Sequence, residues 1–187
     1  MKQLIRFVML GLVALLMNAC VTPVPMVAQG ASPNAAQGYV AGIFYGGKYN
    51  YAFRLRNTAT DVKIYMPFFE KSGNLFQDEP EQLNMIALPP GRYEITEWVA
   101  YAVIGNDRVG GRRLDKDGHT PILLEVKPGR VMYIGKFGIF EAHGAFEHRF
   151  GIRPQLTRAA ELAWAFEHTY PAFSMDRVDA LSGSVRN

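Results

Sequence analysis

The four histidines and seventeen carboxylates of this 187-residue chain are the side chains with the widest chemical reach, and their spacing limits what they could do. His143 and His148 flank a short segment, EAHGAFEHRF, with Glu141 and Glu147 beside them. A zinc site wants three or four ligands at matched spacing. Here Glu147 and Arg149 alternate with Phe146, His148 and Phe150, the period of an ordinary strand, so neither a metal nor a cofactor is expected. Asp115-Lys-Asp117-Gly118 looks like part of a calcium loop, but Arg113 stands at the earlier ligand position and Leu124 where the closing Glu should be. It reads as a turn. The chain has no G-x-S-x-G, and Ser182-Gly-Ser184 falls in a polar end rather than on a strand-to-helix elbow. Gly105, Gly110 and Gly111 have no following helix to offer its N-terminus to a phosphate.

Two features suit binding better than catalysis. The segment 107–116 carries Arg108, Arg112, Arg113 and Lys116 against Asp107 and Asp115, and reads as a charged hairpin tip. Such a tip is either plainly solvated or a contact for anionic headgroups, lipopolysaccharide phosphates or an acidic partner. Trp164 lies on a helical wheel nearly opposite the Leu162/Phe166 stripe, where a large aromatic can anchor a partner unless the following PAFSM segment folds over it. Arg108, Arg112, Arg113 and Trp164 are therefore the candidate partner contacts, and no catalytic residue is assigned.

Cys20 is the only cysteine, so an intramolecular disulfide is impossible. Lys2 and Arg6 precede an almost wholly apolar run at residues 7–17. That run fits the core of a secretory signal but falls short of the ~20 residues needed to cross a bilayer. Met17-Asn18-Ala19-Cys20, directly after it, resembles the bacterial lipobox, with Met17 where Leu is common and Asn18 where Ser or Ala is common. The resemblance implies that 1–19 is a signal peptide and that Cys20 receives a thioether-linked diacylglycerol and then an acyl chain on its new amino group. Chemically this needs a thiol, and two or three chains anchor stably. By the sorting rule of Gram-negative lipoproteins, Val21 in place of Asp implies the outer membrane, with the folded part facing the periplasm. The ordinary alternative is a signal peptide cut at or after Ala19 that leaves an incidental thiol. Losing Lys2 and Arg6 lowers the formal charge from +3 to +1, which speaks against a nucleic-acid partner.

The elements that must position these residues follow. Residues 21–37, VTPVPMVAQGASPNAAQ, have no charge and no periodicity and read as a flexible tether. From 38 to about 154 the chain is a series of strand-like segments. In one of them Tyr49, Tyr51, Phe53 and Leu55 alternate with Asn50, Ala52, Arg54 and Arg56, a half-buried strand with a wet face. ALPPGRYEI and VKPGRVMYIG share a device, an apolar lead-in, Pro-Gly, Arg and an aromatic-containing strand, in which Pro-Gly makes the turn. Gly105-Asn106 and Asp117-Gly118 are further turn signals. Short strands without intervening helices predict a single antiparallel β-sandwich. The repeated device resembles prealbumin-like or carboxypeptidase-regulatory-like sandwich modules, and several lipoproteins in which such a sandwich follows a lipobox.

One helix is predicted in the C-terminal part, 155–187, with Thr157 as N-cap and Ala159, Leu162, Ala163, Phe166 and Tyr170 on its apolar stripe until Pro171 ends it. The polar end beyond is expected to fray. The whole is a mainly β protein with one C-terminal amphipathic α-helix, held to the membrane through Cys20. The expected role is a non-catalytic binding or assembly module with an envelope protein partner. The alternative is a periplasmic hydrolase or carbohydrate-active enzyme using Glu94, Glu97 or Glu141 with a histidine.

Overall fold

Strand β1 (Gly38–Tyr45), GYVAGIFY, carries no charge, and all of it but Tyr45 is buried. A strand reads as a continuous apolar run when both of its faces are covered, and β1 lies in the middle layer of three. The computed structural model describes residues 24–69, 80–103, 107–114, 121–143 and 148–186, leaving out the side chains at 69, 142, 143 and 148–150. Its further elements are β2 (Asn50–Asn57), β3 (Lys63–Phe69), β4 (Gln82–Leu88), β5 (Gly91–Tyr101), β6 (Arg108–Arg113), β7 (Ile122–Val126), β8 (Val131–His143), β9 (His148–Gln155), β10 (Thr157–Arg158), α1 (Ala159–Thr169), β11 (Val178–Ala180) and β12 (Val185–Arg186).

Sheet I has the order β3-β2-β5-β6, with β7 sharing the β6 side of β5; sheet II has the order β11-β8-β1-β4, with β9 also on β8. The two sheets face each other across Val40, Phe44, Ile86, Ile134 and Phe137 from one and Tyr51, Phe53, Leu55, Phe68, Tyr93 and Ile95 from the other. At the centre, the Phe44 ring stacks on Phe68 at 4.4 Å, and Phe53 meets Phe137 edge-on at 5.3 Å. Aromatic pairs in these geometries add about 0.5–1.5 kcal/mol beyond the area they bury. The outer face of sheet II packs Tyr39, Ala41, Ile43, Leu83, Met85, Val131 and Tyr133 on Leu162, Ala165, Phe166, Tyr170 and Phe173. Helix, sheet II and sheet I thus form three layers.

The mainly β architecture, with one α-helix among the described residues, is the one the sequence predicts, and its pairing is mostly antiparallel. Among the described residues three pairings run parallel, β1 with β8, β11 with β8 and β10 with β12. The two Pro-Gly devices also do more than close hairpins. β4 lies in sheet II and β5 in sheet I, β7 in sheet I and β8 in sheet II, so each device carries the chain from one sheet to the other. On β8 the register against β1 slips by one residue, Ala41 opposite Tyr133 and Ile43 opposite Lys136. Gly135, at φ +124, supplies a backbone conformation that other residues rarely adopt.

Two further expectations are corrected. The expected tether is built into the fold from Val24 onward: Val24 N–H donates to Tyr65 O at 3.2 Å, Val27 N–H to Met85 O at 2.7 Å, and Met26 bridges Ile86. Val24 and Val27 pack against the two cores, and burying them outweighs the freedom that a Pro- and Ala-rich segment would otherwise keep. The polar tail is ordered for similar reasons. β11 pairs with β8, Arg130 grips Asp179 with two hydrogen bonds at 2.6 and 2.7 Å, and Ser184 O accepts from Thr157 N–H at 3.0 Å. Thr157 is accordingly a buried residue of β10, its hydroxyl bonded to Tyr133 at 2.7 Å, and the N-cap is Arg158. On α1, Leu162, Ala165 and Phe166 are buried, while Ala159 is exposed. Among the described residues no helix is long and apolar enough to cross a membrane.

Candidate functional site: the outer face of sheet I

α1 covers sheet II, and the outer face of sheet I carries a cluster of polar side chains from β2, β3, β5 and β6. On β2, Arg54 and Arg56 alternate with inward Phe53 and Leu55. On β5 the alternation breaks. Arg54 is registered with Glu97 and the next residue, Leu55, with Ile95, so Thr96 is an extra residue on β5. The bulge is secured on both sides: Thr96 Oγ1 donates to Arg54 O at 3.3 Å and Thr96 O accepts Leu114 N–H at 2.7 Å. Its effect is to send Glu97 outward while Ile95 and Trp98 both point into the core.

Glu97 is only 2 % exposed, and a carboxylate so placed requires ionic partners. Its two oxygens are divided between two arginines, Oε2 to Arg54 Nη1 at 3.0 Å and Oε1 to Arg108 Nη2 at 2.6 Å. Arg108 reaches it across Gly111, where a Cβ would stand 2.6 Å from Trp98 O and 3.1 Å from the Arg108 guanidinium. Arg54 also donates to the Tyr65 hydroxyl, and its guanidinium lies 5.1 Å from the centre of that ring. The Tyr65 and Tyr101 rings meet edge-on at 6.1 Å. Burial, and then the hydrogen bond with Tyr65, push the Tyr101 hydroxyl above its ordinary value. Arg56 is held by Glu94 at 2.5 Å, with Asp61 at 3.7 Å on the rim.

These side chains frame a cleft of about 130 Å³ lined by Arg54, Arg56, Lys63, Thr96, Glu97 and Arg113. Four of the six lining residues are cationic and one is an acid. One donor, Arg54 Nε, is buried without an acceptor, an arrangement that normally costs free energy. The cleft is chemically suited to a small anion with several oxygens.

The sequence-based candidates divide as follows. Arg108–Arg113 form strand β6 paired to β5 rather than a hairpin tip. A pairing row along a polar stretch is set by the partner strand, which local turn signals do not reveal. Arg108 and Arg113 join the Glu97 face, whereas Arg112 is registered opposite the inward Trp98 and so alternates to the other side. Trp164 is 61 % exposed and stacks on His168 at 4.3 Å. The segment after the helix does not cover it, because Phe173 turns inward to meet Tyr39 at 4.8 Å. Glu94 and Glu97 lie in the ion pairs above, and Glu141 accepts from Lys48 N–H and the Tyr51 hydroxyl, each at 2.8 Å. Cys20, Lys116 and Asp115-Lys-Asp117-Gly118 lie outside the described residues, as do the His143 and His148 side chains. Among the described residues no three His, Cys, Asp or Glu side chains gather as a metal site. A wider, shallow groove of about 340 Å³ runs along β8 past Ile134, Phe137, Leu156 and Leu181.

The residues missed in the sequence are Arg54, Tyr65, Tyr101 and the placement of Glu97. Alternation did put Arg54 on a wet face, but the bulge that brings Glu97 opposite it has no local sequence signal.

No protein-family model and no curated protein matches the chain. Among solved structures it is similar, over 56 % of its length, to a leucine-rich repeat protein from Bacteroides thetaiotaomicron VPI-5482, at 10 % identity and a TM-score of 0.28. The match spans 14 % of that protein, and a likeness this slight carries no argument.

Proposed function

We propose that this chain is a lipid-anchored module of the bacterial envelope that binds a partner without transforming it. It is acylated at Cys20, sorted to the outer membrane and turned toward the periplasm. The observation that carries the binding reading is the outer face of sheet I. There Arg54, Arg108, Glu97, Tyr65 and Tyr101 are locked by mutual contacts on a sheet surface that no helix among the described residues covers. A surface whose side chains are already fixed loses little entropy when it binds. The anchor reading rests on the signal-like N-terminus and the position of Cys20. Glu94, Glu97 and Glu141 each serve an ion pair or hydrogen bond of the fold, which favours binding over hydrolysis.

A photoreactive amino acid placed at Arg113 in living cells tests the face, with Ser182 on the C-terminal turn as the comparison site. Light-dependent adducts of defined mass at 113 and none at 182 are expected. Adducts at neither position, or equally at both, would count against a recognition role for sheet I.

A further inference from the structure

We infer that the cleft of Arg54, Arg56, Lys63 and Arg113 takes the phosphoryl group of an anionic lipid in the bilayer that holds Cys20. The inference rests on the anchor proposed above and names the ligand of the same face. Three observations converge on it. The first is chemical: four cations line about 130 Å³ beside one carboxylate. Arg54 is held by Glu97 and Arg56 by Glu94 with their guanidinium groups at the cleft wall, and guanidinium groups suit phosphate geometry. The second is the unmet donor, Arg54 Nε, buried beside that cleft.

The third is reach. Val24 N–H is fixed to Tyr65 O at 3.2 Å, and only residues 21–23 separate Val24 from Cys20. Four Cα-to-Cα steps span at most about 15 Å. Tyr65 is also the residue whose ring carries the Arg54 guanidinium. The residue that receives the staple therefore also holds Arg54, which lines the cleft, and Lys63 of the cleft stands two residues before it on the same strand. A long tether would leave the domain free to stand off the membrane, but this short one keeps β3 beside the headgroups. Near an anionic surface each lysine or arginine strengthens binding by about fivefold.

The test is titration of the full acylated protein, held in uncharged detergent, with dihexanoyl phosphatidylglycerol, dihexanoyl phosphatidylcholine and inorganic phosphate. Lys63→Glu is the companion variant; Lys63 is exposed at the start of β3, and an unchanged melting curve would show it folded. Phosphatidylglycerol is expected to bind more tightly than the other two, with Lys63→Glu weakening it about tenfold or more. No binding, equal binding of phosphatidylcholine, or an affinity untouched by Lys63→Glu overturns the inference. Inorganic phosphate binding as tightly as phosphatidylglycerol overturns the lipid as its source and leaves a free-anion site. Intact mass of the same sample reports separately on the anchor, so absent acylation is distinguished from an inert cleft.

Discussion

Arg54 and Glu97 face each other on neighbouring strands at 3.0 Å because a single extra residue, Thr96, shifts the alternation of β5. In an unbulged strand with Ile95 inward, residue 97 would also point into the core, where a carboxylate could not remain charged. The bulge thus converts a segment of apparent core strand into the centre of a charged face.

Glu97→Gln is expected to destabilise the fold by about 1–3 kcal/mol. Breaking a fully buried pair costs more, but the arginine side chains are 29 % and 49 % exposed and water screens them in part. Urea denaturation measures it, and an unchanged midpoint would mean that the two ion pairs add nothing.

Gly111 sits at φ +146 with Trp98 O where a Cβ would go. Gly111→Ala should cost about 1–3 kcal/mol through backbone strain and contact. It should also displace Arg108 from Glu97, so combining it with Arg108→Ala should cost less than the two changes summed. Strict additivity in that double-mutant cycle would separate the glycine from the site.

α1 offers a comparison between two aromatics two residues apart. Phe166 is 1 % exposed in the core beneath the helix, and Trp164 is 61 % exposed. Phe166→Ala should cost about 3–5 kcal/mol and Trp164→Ala no more than about 0.5 kcal/mol. Equal losses in thermal denaturation would mean that something covers Trp164 in the isolated protein.

The hydrogen bonds from Arg130 hold Asp179 below its ordinary carboxylate range. A depressed folded value means that the unfolded chain takes up its proton first as the pH falls. The contribution is therefore complete above the unfolded aspartate value, about 3.9, and disappears as the pH drops through the folded one. Asp179→Asn should thus lower the denaturation midpoint at neutral pH, and the gap from wild type should narrow steadily below about pH 4. A gap independent of pH would mean that packing, rather than the ion pair, holds β11.

Much of the architecture was legible in the sequence. The alternation of β2 gave its wet and dry faces, and the Leu162/Phe166 stripe placed the helix on the sandwich. The two Pro-Gly devices marked chain reversals, though not that they change sheets, because a turn signal specifies local φ and not which strand pairs next. Val24 and Val27 were illegible because two valines among prolines and alanines have no period. Their place is set by vacant edges on β3 and β4, distant in the chain. The site was half visible: the arginines were counted, but the carboxylate that organises them depends on register, a property of strand pairs.

The central claim is that Cys20 ties this face to a membrane, and one comparison tests it most directly. Wild type and Cys20→Ser are expressed in a Gram-negative host, and intact mass is measured together with membrane fractionation. The account predicts a wild type that begins at Cys20, carries the mass of its acyl chains and sediments with the outer membrane, and a variant that carries no acyl mass. A wild type recovered soluble, unacylated and cut elsewhere would contradict it, leaving Cys20 a free thiol and the sheet I face without its membrane.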